Sequence, residues 1–248
     1  MRALKNPKKG PARVLALLHT SPAHIPVFDA LRDEDHQGLE LRHFVDEELL
    51  ARARREGPEA VAGAVRDALD EAVAAGARAV LCTCSTIGAV AETAGARIGV
   101  PVLRADRPMA AAAVAAGHRV VVAATLESTL GPTVALVEEE GRRRTGRSSH
   151  EPIAPHEPRA PMAPREPLAP LDIRTLLVEG AWARFEAGDT EGCARLVVDA
   201  VDAVTGADAI VLAQGSMAPA QYLTTTTIPV LSSPRLGLTA GARAVRVW

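Results

Sequence analysis

Aromatic residues are nearly missing from this chain of 248, which has three Phe, two Trp and one Tyr. Proteins that grip single-stranded nucleic acid stack bases on such rings, so that class has almost no material here. Charge offers no substitute, because 28 Lys and Arg stand against 30 Asp and Glu, a formal net charge of −2. Cysteine is scarce as well. Three of them, two at Cys82 and Cys84, make no disulfide framework, and no CxxC-type spacing suggests a metal site. No apolar run is long enough to span a bilayer. The basic N-terminus leading into VLALL imitates a signal peptide, but the run has only five residues and no small-residue cleavage site follows. Residues 1–12 read as a flexible tail, and the expectation is a reduced, cytoplasmic protein with no nucleic-acid or membrane partner.

What is present is aliphatic. Hydrophobic residues make up 48% of the chain, enough for one large unit or two small α/β domains with a core of Val, Leu, Ile and Ala. Strand and helix patterns alternate. Strands are expected at 14–19, 38–45, 78–83, 101–104, 119–124, 208–213 and 228–231. Helices are expected over about 24–33, from Pro58 to a stop at Gly76, from about Thr86, over 109–117, from near Glu127, over 190–204 and from Met217. Such alternation argues for parallel sheets built from βαβ units.

The alternation breaks at residues 141–170. Proline falls there at 152, 155, 158, 161, 164, 167 and 170, a period of three. Polyproline II has about three residues per turn, so these prolines would line one edge. The segment reads as an insertion that acts as a spacer, with a docking site for a proline-recognising partner as the alternative.

A repeat lies within the pattern. GARAVLCTCST at 76–86 aligns without gaps over GADAIVLAQGS at 206–216, an offset of 130 positions. Downstream, GVPVL at 99–103 matches TIPVL at 227–231, and RVLALLHTS at 13–21 matches RVVVAATLE at 119–127. Three matches in one order point to an internal duplication. Two related units would each present the carboxyl end of a strand and the first turn of the next helix. Ligands of open α/β sheets bind beyond such ends, so a cleft between the halves is the expected site. Cys84 stands at one of these ends, and its counterpart in the alignment is Gln214.

Helix N-termini favour thiolates and anions, which makes Cys84 a candidate acid/base for an acidic ligand. Ser85 and Thr86 would add donors for a carboxylate. The plain alternative for Cys84 is a small buried hydrophobe, the usual fate of a free cysteine. Cys82, inside the strand, and Cys193, in a helical pattern, read as core.

CTCST on a strand-to-helix turn, IVLAQGSM after the second strand, ADRPMAAAAVAAG leading to AATLEST, and EGAWARFEAGD together resemble the aspartate/glutamate racemase superfamily. That group includes hydantoin racemases, maleate isomerase and arylmalonate decarboxylase. The resemblance covers nearly the whole chain except the tail and the proline-rich insertion. It implies an α/β fold of two similar domains with parallel sheets related by a pseudo-twofold axis, an active site between them, and no cofactor. The domains implied are 13–104 with 225–248, and 105–224, the second carrying the insertion at about 141–170. The racemases flank the α-carbon with two cysteines. Cys84 matches the first, and Gln214 stands where the second is expected. Gln does not titrate, so two-cysteine racemisation is in doubt.

His19, in HTSP after the first strand, is the best candidate for a replacement acid/base, with His24 behind it; a structural role is the alternative for His19. Thr20, Gly215 and Ser216 belong to the turns that would face a ligand. Thr125, Ser128 and Thr129 would hold a carboxylate by resemblance, or Ser128 and Thr129 would cap the following helix. The other histidines (36, 43, 118, 150 and 156) read as surface, strand or insertion positions. Three functions remain open. One is an isomerase or racemase of a small carboxylic acid, such as an amino acid or dicarboxylate, using Cys84. Another is a one-cysteine decarboxylase or covalent cis-trans isomerase. The last is a non-catalytic ligand-binding protein, and self-assembly is open in each case.

Overall fold

The computed structural model describes residues 13–148 and 169–247. The tail at 1–12 and the prolines from 152 to 167 lie outside the described residues. The chain divides into two compact units, Met1–Ala105 with Pro234–Trp248, and Asp106–Ser233.

In the first unit, β1 (Val14–His19), β2 (Glu40–Val45), β3 (Ala79–Cys82) and β4 (Val102–Arg104) form a parallel sheet in the order β2-β1-β3-β4. Every residue of β1 and β3 is buried, as uninterrupted apolar strands require when helices cover both faces. Its helices are α1 (Ile25–Asp35), α2 (Glu47–Glu56), α3 (Ala62–Ala74) and α4 (Ser85–Gly95). Ala16, Leu18, Val80 and Cys82 face Leu49 and Ala53 of α2, Val65 and Leu69 of α3, and Ile87 and Val90 of α4. Leu15, Leu17, Ala79 and Leu81 face the opposite layer, which includes Phe28 of α1. The sequence reading passed over α2. Its start is fixed locally, since the Asp46 carboxylate accepts from the Glu48 and Leu49 amides at 3.0 and 3.3 Å. After α3, Gly76 takes φ +91° and turns the chain into β3.

The second unit repeats the plan. Its strands β5 (Arg119–Ala124), β6 (Asp172–Leu177), β7 (Ala209–Leu212) and β8 (Val230–Ser232) are parallel in the order β6-β5-β7-β8. Helices α5 (Arg107–Ala116) and α6 (Glu127–Ser148) cover one face, through Met109, Ala113, Leu136 and Val137. The other face packs on α7 (Ala181–Glu186) and α8 (Thr190–Asp202), through Ala181, Cys193, Val197 and Val201. The helix expected from Met217 is a 3-10 stretch, Gly215–Tyr222, with Pro219 inside it; proline has no N–H to continue an α-helix.

Three expectations change. The interruption begins later than residue 141, because α6 runs through Ser148 on a ladder of i, i+4 pairs such as Arg143–Glu139. The sequence reading placed no strand at Asp172–Leu177, whose residues are half-buried or exposed and so lack a strong apolar signal. The return to the first unit comes at Pro234 rather than 225. Strand β8, which the resemblance gave to the first domain, pairs with β7 through Ile210↔Val230 and Val211↔Leu231. Only the last helix, α9 (Ser233–Val247), goes back, setting Leu238, Ala242 and Val245 against Leu15, Leu17 and Phe28. No helix among the described residues is long and apolar enough to cross a membrane.

The docking of α9 depends on Gly237, where a Cβ would meet the Ala105 carbonyl oxygen at 2.6 Å and Ala105 Cα at 2.7 Å. Backbone cannot give way as a side chain can. Gly237→Ala is expected to lower unfolding free energy by about 1–3 kcal/mol, read from urea denaturation.

Candidate active site

Parallel strands buried on both faces have room for polar chemistry where they end. In the first unit β1 ends in His19, and Thr20 and Ser21 follow. Strand β3 ends at Cys82, followed by Thr83 and then Cys84, the residue before α4. Cys84 has φ −103° and ψ 118°, an extended N-cap, and its side chain makes no capping bond. It is half-buried, whereas Cys82 and Cys193 are each 1% exposed and sit in the cores. Burial pushes the Cys193 thiol up, with Asp189 adding to the shift. Cys84 is thus the accessible thiol of the three, at the head of α4. Ser85 is half-buried and Thr86 buried beside it.

Beneath this turn lies a residue that the sequence reading did not single out. Arg104, at the end of β4, is 4% exposed, and its Nη2 lies 3.5 Å from the Ser85 carbonyl oxygen. Gly88 gives it space, because a Cβ there would stand 2.6 Å from Arg104 Nε. An arginine closing a short apolar strand was the available signal.

His19 is placed differently from its expected role. It is 0% exposed and both ring nitrogens are engaged, Nδ1 with Thr83 Oγ1 at 2.9 Å and Nε2 with His43 Nδ1 at 2.9 Å. Its ring stacks on His43 at 5.2 Å and lies 5.7 Å from Phe28. Burial, with His43 and His24 nearby, lowers its pKa to about 3. It is a neutral, hydrogen-bonded structural histidine with no nitrogen left for a substrate. His24, half-buried with its ring 6.5 Å away, is also pushed down by burial. By periodicity His43 is a strand position, and its contact with His19 depends on the β1–β2 register, which periodicity does not give.

The second unit holds the matching turn. Gln214 stands just beyond β7 with its side chain fixed. Its Oε1 accepts from Thr125 N at 2.6 Å, Thr125 Oγ1 at 2.9 Å and Leu126 N at 3.3 Å. The Thr125 donors expected to hold a carboxylate are therefore occupied by the amide oxygen of Gln214. Thr125 and Thr129 are buried, while Ser128 is exposed on the first turn of α6. Thr20 is buried in the first unit. Gly215 and Ser216 are half-buried, and Ser216 Oγ has no hydrogen-bond partner among the described residues. No group of three or more His, Cys, Asp or Glu among the described residues could hold a metal ion.

The sequence model of the Asp/Glu/Hydantoin racemase family matches residues 13–152, more than half of the chain. The protein belongs to that family. Solved racemase-family structures share its fold at low identity. The aspartate racemase of Picrophilus torridus is 13% identical, with 94% of each chain covered and a TM-score of 0.64. A glutamate racemase isoform of Bacillus anthracis is 14% identical, covering 94% of this chain and 82% of that one, with a TM-score of 0.66. A liganded double mutant of arylmalonate decarboxylase is 20% identical, covering 94% and 92%, with a TM-score of 0.62. Comparison with curated proteins found no match. Membership of that family accords with the two similar turns, one after β3 and one after β7.

Two outcomes follow from these contacts. The folded state disfavours a charged His19, while the unfolded chain takes up a proton near the ordinary 6.5. Its contribution to stability is complete above about pH 6.5 and declines as pH falls toward about 3, by an amount on the order of a few kcal/mol. Denaturation curves across this window should show the decline in the native protein and a shallower one in His19→Gln. Gln214→Ala strips the acceptor from the Thr125 and Leu126 amides and should cost about 1–3 kcal/mol. Gln214→Glu keeps an acceptor there and should recover most of that loss at neutral pH, as read by thermal melts.

Proposed function

We propose that this protein is a cofactor-independent enzyme that moves a proton at the carbon beside a carboxylate, with Cys84 as the acid/base. The observation that carries the reading is the state of its three thiols. Only Cys84 is accessible, and it heads α4 with no capping bond to tie it down. A thiol in that setting can hold its proton or release it beside N–H groups that suit an anion. A small amino acid or dicarboxylate fits such donors, and Ser85, Thr86 and Thr20 are the groups we assign to its recognition. A working thiol also needs a reducing compartment, in keeping with a cytoplasmic setting.

Gln214 favours a second reading of the same chemistry. An amide whose oxygen accepts three hydrogen bonds neither donates nor abstracts a proton at carbon. A single working thiol serves one face of the carbon. That suits a decarboxylase or a stereospecific exchange better than free racemisation.

The test is incubation in D2O with aspartate, glutamate, maleate and arylmalonates, watching deuterium at the α-carbon and release of CO2. Exchange or decarboxylation should occur with one of these classes, and Cys84→Ser should lower it by about 100-fold or more. The same acid should shield Cys84 from iodoacetamide. No turnover and no shielding by any of them would overturn the reading and leave a ligand-binding protein on a racemase scaffold.

A further inference from the structure

A line of side chains runs from the surface of the first unit to the turn that carries Cys84. Asp29 Oδ1 of α1 stands 3.5 Å from His43 Nε2, within ion-pair reach but without hydrogen-bond geometry. His43 Nδ1 is 2.9 Å from His19 Nε2, and His19 Nδ1 is 2.9 Å from Thr83 Oγ1. Thr83 Oγ1 also lies 3.1 Å from the Leu18 carbonyl oxygen, which accepts from the Thr83 amide at 3.0 Å. Thr83 has one hydroxyl proton, so at any moment it serves either His19 or Leu18. Other charged or titratable groups near the line are His24, beside His19, Arg32, whose Nη2 is 3.4 Å from Asp29 Oδ1, and Asp46, Asp67 and Glu71, which line a cavity with His43.

Resting on the reading of Cys84 as the acting thiol, we propose that Asp29, His43 and His19 are positioning residues, holding the Cys84 turn by fixing the direction of the Thr83 hydroxyl. The carboxylate at the outer end orders the protons. With both imidazoles neutral, Asp29 favours an N–H on His43 Nε2, which leaves His43 Nδ1 as an acceptor. His19 then carries its proton on Nε2, and its bare Nδ1 accepts from Thr83. If His43 gains a second proton, the line reverses. His43 Nδ1–H donates to His19 Nε2, His19 Nδ1–H donates to Thr83 Oγ1, and the Thr83 hydroxyl turns to Leu18. One proton bound near the surface thus changes what Thr83, the neighbour of Cys84, holds on to. No bond to carbon or sulfur changes in this step.

The experiment has two readouts, neither needing a substrate. Nitrogen–proton correlation NMR of the histidines at about pH 8 should find His19 and His43 as Nε2–H tautomers. Asp29→Asn offers a side-chain N–H to His43 Nε2 in place of a carboxylate and should flip His19 to Nδ1–H. Asp29 is partly exposed, so this variant leaves the core untouched. The rate at which iodoacetamide alkylates Cys84 should change by about threefold or more in Asp29→Asn and in Thr83→Val, and return to the native rate in Thr83→Ser. An unaltered His19 tautomer in Asp29→Asn would overturn the proposal. So would a native alkylation rate in both Asp29→Asn and Thr83→Val. If no carboxylic acid shields Cys84, the proposed reaction fails, while the tautomers and relative alkylation rates still judge the positioning line by themselves.

Discussion

A strand covered by helices on both faces has no water along its length, and this governs where the molecule can keep polar groups. The residues of β1, β3 and β7 are all buried, and β5 is buried after its first residue, so a charge or thiol working within them would be desolvated. Their carboxyl ends are different. There the chain leaves the sheet, backbone N–H groups lose their ladder partners, and the next helix opens with more unpaired donors. His19 and Thr83, Cys84, Thr125 and Gln214 all stand at such ends or directly beyond them. The polar side chains gather there because the strand interiors offer them no partners.

Within that constraint the two units use the same turn in opposite ways. In the first, the head of α4 carries a half-buried thiol whose side chain caps nothing. In the second, the corresponding side chain is an amide locked by three donors onto the Thr125–Leu126 turn. Buried donors left without an acceptor are costly, and Gln214 supplies that acceptor from within the chain. Of the two similar turns, one presents a half-buried thiol and the other is satisfied by its own residue.

The same logic explains His19. An imidazole with no exposed surface survives in a core only when both nitrogens are paired, and Thr83 and His43 provide that pairing. His19 thereby links β1, β2 and the turn after β3. Arg104 occupies a comparable position under the first turn of α4, where Gly88 leaves room for its guanidinium.

Periodicity and composition carried the parallel α/β class, the similar turns after β3 and β7 and the core placement of Cys82 and Cys193. Those features are local, set by apolar runs, helix starts and the spacing of a repeat. Helix α2, the half-exposed strand β6 and the continuation of α6 past residue 141 escaped notice because their apolar signal is weak and neighbouring structure supports them. Tertiary structure alone decided the rest. Strand β8 belongs to the second sheet because β7 offers it a ladder, and α9 returns to the first because Leu238, Ala242 and Val245 find an apolar face there. The partners of His19, the acceptor role of Gln214 and the buried guanidinium of Arg104 depend on strand register, which brings together residues from distant parts of the chain. Sequence spacing specifies what each residue can do, and only the packed sheets determine which partner it meets.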